Sequence, residues 1–167
     1  HCQLDCDALG IELIVERVQI EDTGLGREGA ARAARHAAFA RVLRDGEVLT
    51  LAHHRGDQAE TFLLRALRGS GVDGLAAMRP WRAYANGWLW RPLLETSRDA
   101  LREYAGEHGL SWIEDPSNDD ASFDRNFVRT QVLPLLRTRW PQADAAFARS
   151  AGLSAEAAEL LDAGDDL

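Results

Sequence analysis

Apolar positions along the chain fall into two spacings, and the switching between them sets out the elements. Residues Ile11 to Ile20 are rich in β-branched side chains, which predicts a strand, and Val48, Leu49 and Leu51 form a shorter apolar run that reads as a buried strand. Between them, Arg27 to Arg44 is Ala-rich, with Ala31, Ala34, Ala38 and Val42 or Leu43 on one helical face and Arg32 and Arg35 near its middle. Asp45-Gly46 closes that helix. Asp57 opens another, with apolar residues at Phe62, Leu63, Leu64, Ala66 and Leu67. Strand, helix, strand, helix is the order of an α/β chain with a parallel sheet and right-handed crossovers. Ahead of it, His1 to Leu9 reads as the end of a helix stopped by Gly10, and Glu21 to Gly26 reads as a loop.

The second half is more helical. Gly69, Ser70, Gly71 and Gly74 follow a helix and are not followed by Lys-Ser/Thr, so they read as a helix C-cap and turn, not as a phosphate loop. Val72 to Met78 predicts a short helical turn, and an irregular stretch follows with Trp81, Tyr84, Trp88 and Trp90. Arg79, Arg82 and Arg91 are interleaved with these aromatics. Two readings stand: rings that stack on nucleotide bases, or a small aromatic core with Arg lying over it. Thr96-Ser97-Arg98-Asp99 has the pattern of a capping box and starts a helix that runs to about His108, before Gly109. Ser111 to Asn126 is a polar loop whose acids lack the alternation of a calcium loop. A helix from about Asn126 to Trp140 is interrupted by Pro134, another runs from Pro141 to Leu161, and the last half-dozen residues fray.

With 46% hydrophobic residues, 167 positions suffice for one globular domain and its core. No apolar run approaches the roughly 18 residues of a membrane span, and none has the form of a secretory signal, so the expectation is a soluble, cytoplasmic chain. All 19 basic residues are Arg, the better residue for forked contacts to phosphate or carboxylate. The net charge of -8 argues against the chain gripping nucleic acid unaided. That charge is uneven: Arg55 to Arg91 holds six Arg against Asp57, Glu60 and Asp73, whereas Ser154 to Leu167 carries five acids and no base. Cys2 and Cys6 have no second pair with which to form a metal site or a disulfide framework.

The densest chemistry lies in Leu51 to Gly71, LAHHRGDQAETFLLRALRGSG. His53-His54 sits where a strand ends and a helix begins, the place in α/β sheets where ligands bind and where the helix N-terminus favours anions. Asp57 and Glu60, three apart, fit helix capping and fit chemistry equally well. His54, Asp57 and Glu60 together suggest a metal site, but neighbouring His on a strand face opposite ways, so no metal is assigned.

HHRGDQAETFLLRALRGSGVDGL resembles the HHxDDQxETxLLxLxRGSGxxGL segment of the tRNA(Ile)-lysidine synthetases, in the PP-loop ATP pyrophosphatase superfamily. REGAARAARHAAF resembles their ExxARxxRYxxF helix and WRPLLETSRDALREYA their RPLL segment. WIEDPSNDDASFDRNFVRTQVLPLL resembles their WxxDxSNxDxxxxRNxxRxxxxPxL. Gly56 stands where the family usually has Asp, and His36 where it usually has Tyr. The Ser-Gly-Gly-x-Asp-Ser loop that holds the ATP pyrophosphate in the superfamily is not in this sequence, nor are the C-terminal tRNA-holding domains.

The resemblance implies a Rossmann-like fold of the adenine nucleotide alpha hydrolase kind, as a partial PP-loop ATPase domain over residues 1–95 and a helical part over 96–167. It implies that ATP, with Mg²⁺, adenylates C2 of the wobble cytidine of an isoleucine tRNA with a CAU anticodon, after which the ε-amine of free L-lysine displaces AMP. On that reading Arg32 and His54 lie beside the ATP, Asp57, Glu60 and Arg125 hold the lysine, and Asp57 is catalytic. The chain alone is then expected to be inactive. Two other classes remain as alternatives: a metal-dependent hydrolase centred on His54 and Asp57, and a noncatalytic binding fragment.

Overall fold

The computed structural model describes residues 1–20, 26–116 and 120–165. Eight α-helices among them are α1 (Cys2–Leu9), α2 (Gly26–Val42), α3 (Arg55–Leu67), α4 (Val72–Leu75), α5 (Arg98–Glu107), α6 (Asp124–Phe127), α7 (Leu133–Arg139) and α8 (Ala143–Asp165). The strands are β1 (Val48–Thr50), β2 (Trp81–Tyr84) and β3 (Gly87–Trp90), paired in the order β1-β3-β2. Two residues join β2 to β3, so that pair is antiparallel. Gly46 N–H donates to Asn86 O and Leu51 N–H to Trp90 O, a register that rises together, so β1 and β3 run parallel. The α/β class holds and the small sheet is mixed.

Several expectations change. Ile11–Ile20 forms no strand, and Ile11, Ile14, Val15 and Ile20 are all more than half exposed. β-branched side chains favour extended backbone, but a strand exists only where a neighbour takes its N–H and C=O groups, and none of the described strands pairs with this one. β1 is not a buried strand either, since Val48 is exposed. The stretch expected to be irregular is the β2–β3 hairpin. Of the expected loop Glu21 to Gly26, residues 21–25 lie outside the described residues, as do residues 117–119 of the polar loop. The chain end is helical as far as Asp165 instead of frayed, with residues 166–167 outside the description.

The chain falls into two compact units. The first comprises residues 1–49 and 84–87. There α1 ends on Gly10 at φ 65, as the sequence indicates, and α2 buries Ala30 and Ala38. His36, in the family's Tyr position, bonds through Nδ1 to the Tyr84 hydroxyl at 3.0 Å, and that hydroxyl donates to His36 O at 2.8 Å.

The second unit comprises residues 50–83 and 88–167. Its core is Ala59, Val128 and Leu133, with Leu63, Leu64, Val132, Leu136 and Phe147 packed around them. α3 lies along α8, where Phe62 stacks on Phe147 and Ala151 is fully buried. α3 ends as expected: Gly69 adopts φ 70, its N–H reaches Ala66 O, and Ser70 N–H reaches Arg65 O. Buried Gln58 pins the following loop to α3 by bonding both Met78 O and Met78 N–H. Pro134 does not break its helix. It sits in the first turn of α7, after a π-helical segment, Val128–Val132, that runs on directly from α6. Proline donates no hydrogen bond and crowds the carbonyl four residues back, and a widened turn accommodates both.

Candidate functional site

The site starts from the way α3 begins. The helix opens at Arg55 with His54 as its N-cap, two residues earlier than the sequence suggests. His54 is extended, its Nδ1 accepts Gly56 N–H at 3.0 Å, and its own N–H donates to Asp57 Oδ2 at 2.9 Å. These are reciprocal caps that satisfy donors a helix start otherwise leaves open. A Cβ at Gly56 would lie 2.8 Å from His54 Cε1, so this closure needs a residue without a side chain. Nδ1 is also 3.7 Å from Asp57 Oδ2, but a nitrogen accepting from Gly56 cannot donate to Asp57 as well. The shorter contact decides: the proton of a neutral ring is on Nε2. Arg55 N–H donates to Thr96 O and its guanidinium to Glu95 O, which ties this turn to the start of α5. The N-cap of α5 is Ser97, one residue beyond Thr96, with its hydroxyl accepting Ala100 N–H.

With Oδ2 of Asp57 committed to the cap, Oδ1 faces α6 and the π segment. It receives Arg125 Nη2 at 3.3 Å and Arg129 Nη2 at 3.4 Å. Glu60 is held more tightly: Arg129 Nε reaches Oε1 at 2.7 Å, while Arg129 Nη2 and Arg125 Nε reach Oε2 at 2.9 and 2.8 Å. Only 3% of the Glu60 side chain is exposed, so this carboxylate depends on its two guanidiniums for the solvation that water would give. Two carboxylates and two guanidiniums balance in charge. Neighbouring bonds fix the Arg-bearing helix, with Asn126 Nδ2 donating to Asp120 O and Thr130 Oγ1 to Asn126 O. Hydrogen bonds from Ser122 hold the Asp120 carboxyl below the usual carboxylate range.

A cleft of about 510 Å³ opens beside the cluster. His54, Arg55, Gly56 and Glu60 line it from α3, Arg98 and Arg102 from α5, Arg129 and Arg137 from the π segment and α7, and Asp144 from α8. Glu60 and Arg129 reach the cleft, while Asp57 and Arg125 are not among its lining residues.

Of the residues singled out in the sequence, His54, Asp57, Glu60 and Arg125 come together here. Arg32 lies exposed on α2 in the other unit. Arg129 was missed, although it closes the Arg-Asn-x-x-Arg stretch and stands four positions after Arg125, the spacing that puts two side chains on one helical face. Among the described residues no group of three or more His, Cys, Asp or Glu is arranged to hold a metal ion. A metal on Asp57 would have to displace either the helix cap or the arginines. The described residues also contain no helix long and apolar enough to cross a membrane.

The chain has curated relatives named tRNA(Ile)-lysidine synthase. It is 64% identical to the one from Xanthomonas axonopodis pv. citri (strain 306) over 96% of this chain and 37% of the relative. It is 57% identical to that of Xylella fastidiosa (strain Temecula1 / ATCC 700964), over 99% of this chain and 38% of the relative. Against that of Salmonella heidelberg (strain SL476) the identity is 52%, over 97% and 38%. The chain thus spans under two fifths of the length of these relatives. Residues 1–136 match the PP-loop domain. The motifs quoted above carried the same resemblance, and the chain belongs to the PP-loop domain family.

Proposed function

We propose that the chain is part of a cytoplasmic tRNA(Ile)-lysidine synthase, which uses ATP to join the ε-amine of free L-lysine to C2 of the wobble cytidine of an isoleucine tRNA with a CAU anticodon. The observation that carries this reading is the charge cluster, on which Glu60 and Arg125, 65 positions apart, meet beside a cleft. On this reading residues 1–95 serve as a partial PP-loop ATPase domain and 96–167 as its helical partner. Asp57, Glu60 and Arg125 hold the lysine, with Arg129 joining them. Asp57 Oδ1 has the longest contacts of the cluster, so it is the oxygen most readily given over to an incoming ammonium and the one suited to accept its proton. Glu60, clamped by three shorter bonds, keeps both arginines in place. The Nη2 donors released from Asp57, with both guanidiniums still anchored on Glu60, then face the lysine carboxylate.

For ATP, the cleft lies within the roughly 300–1,000 Å³ of small-molecule sites and carries arginines for phosphate oxygens. His54 on its wall offers an Nε2–H donor; Arg32, on α2 in the first unit, is an ATP contact on the family resemblance alone. Mg²⁺ enters with the phosphates of ATP. The described residues make no cation site of their own, and no step is assigned to the metal.

The test uses the full-length protein and measures pyrophosphate release on adenylation separately from lysine transfer. Glu60→Gln and Arg125→Ala are expected to keep adenylation and lose lysine transfer by on the order of 2–5 kcal/mol, the effect of breaking a desolvated charge contact. Normal lysine KM and turnover in both variants would end the assignment.

A further inference from the structure

The cleft is more basic than an amino-acid site needs. Of its five arginines, Arg129 is paired with Glu60 and Arg137 with Asp144, the latter through two bonds at 2.7 and 3.1 Å. Arg55, Arg98 and Arg102 remain, set against Asp99 alone among the lining acids. Arg55 spends its hydrogen bonds on a neutral carbonyl, Glu95 O, so its charge is not cancelled. Arg98 is exposed and makes no ion pair among the described residues. Arg102, half exposed, touches Glu114 at 3.3 Å outside the cleft, the kind of surface contact that contributes little. Arg98 and Arg102 are four apart on α5 and so share a face. The bond from Arg55 N–H to Thr96 O keeps Arg55 beside them.

The geometry points to this wall of Arg55, Arg98 and Arg102 as a phosphate-binding subsite next to the amino-acid cluster. Its ligand is a phosphate group, either a backbone phosphate of RNA or a pyrophosphate. Three guanidiniums on a rim offer forked donors to non-bridging oxygens, and the excess of positive charge makes up locally for a chain of net charge -8. The inference rests on the proposed function only for why such a phosphate arrives there. Its test contains no lysine, so failure of lysine transfer leaves it standing, and its own failure leaves lysine transfer untouched.

The experiment follows binding of a fluorescein-labelled single-stranded RNA to the 167-residue chain by anisotropy at several salt concentrations, with inorganic pyrophosphate as competitor. Arg98→Ala/Arg102→Ala is expected to weaken RNA binding about tenfold and to flatten the slope of log K against log salt by about 1.4, the value for two lost contacts to a single strand. Arg139→Ala, which removes an exposed charge that does not line the cleft, is expected to leave both unchanged. Arg98→Lys/Arg102→Lys keeps the charge and should recover part of the affinity, which guards against a folding artefact of the alanine pair. RNA binding that depends on these arginines and resists pyrophosphate identifies a backbone phosphate. Pyrophosphate binding with the same dependence, in the absence of RNA binding, identifies the small ligand. Absence of binding by both probes, or equal losses in the cleft variant and in Arg139→Ala, overturns the inference.

Discussion

At Gly56 a missing side chain lets His54 close the first turn of α3. Its φ is outside the left-handed region, so the constraint is the His54 ring and not the backbone. Gly56→Ala is therefore expected to push the ring off its hydrogen bond to Gly56 N–H and lower stability by about 1 kcal/mol, the usual loss for an N-cap. An unchanged urea midpoint would refute this. Gly56→Asp displaces the same ring but returns the carboxylate usual in the family. In the full-length protein we expect it to raise turnover and its magnesium dependence, and equal values in both proteins would refute that second expectation. Glu60 was legible only in part. Spacing put Asp57 and Glu60 on one helical face, but left capping and chemistry open. The structure divides the two roles: Asp57 caps with Oδ2 and reaches the arginines with Oδ1, while Glu60 serves the arginines alone.

Among the elements, the helices were legible because their apolar spacing and their glycine stops agree, as at Gly69 and Gly109, although α5 is capped by Ser97 where the pattern pointed to Thr96. Strands were legible only as propensity. Ile11–Ile20 has the composition of a strand and forms none, whereas the hairpin, read as an irregular stretch, does carry the hairpin-turn pair Asn86-Gly87, set one position later than the two residues, Ala85 and Asn86, that join its strands. The period-two signal was present: Trp88 and Trp90 are exposed on either side of fully buried Leu89. Trp81 stacks on Trp88 and meets Trp90 edge-on, so the three rings form an exposed cluster, not an interior core. The hairpin also explains a glycine. A Cβ on Gly87 would lie 2.2 Å from Glu47 O, a backbone atom that cannot turn aside. Gly87→Ala is expected to lower stability by about 1–3 kcal/mol, the range for overpacking, and a melting curve identical to that of the parent chain would overturn this.

For the molecule as a whole, what the site holds and what the sequence lacks lead to one expectation. The second unit assembles a balanced cluster of two carboxylates and two guanidiniums, a capped helix start and an arginine-lined cleft. Such groups recognise an amine, a carboxylate and a phosphate. They do not by themselves supply the dense set of oriented donors that phosphoryl and nucleotidyl transfer requires at the developing charge. The glycines at 69, 71 and 74 offer none, since they close α3 and open α4 instead of joining a strand to a helix. The Ser-Gly-Gly-x-Asp-Ser loop, which the family uses for this purpose, is not among these 167 residues. We therefore expect the 167-residue chain, given ATP, Mg²⁺, lysine and an isoleucine tRNA, to release no AMP in a lysine-dependent manner. The full-length protein that contains it should do so under the same conditions. The assay is AMP release with and without lysine, run on both proteins. Lysine-dependent release by the shorter chain would mean that the Arg55, Arg98 and Arg102 wall substitutes for the missing loop, and would move the centre of phosphate chemistry to α5.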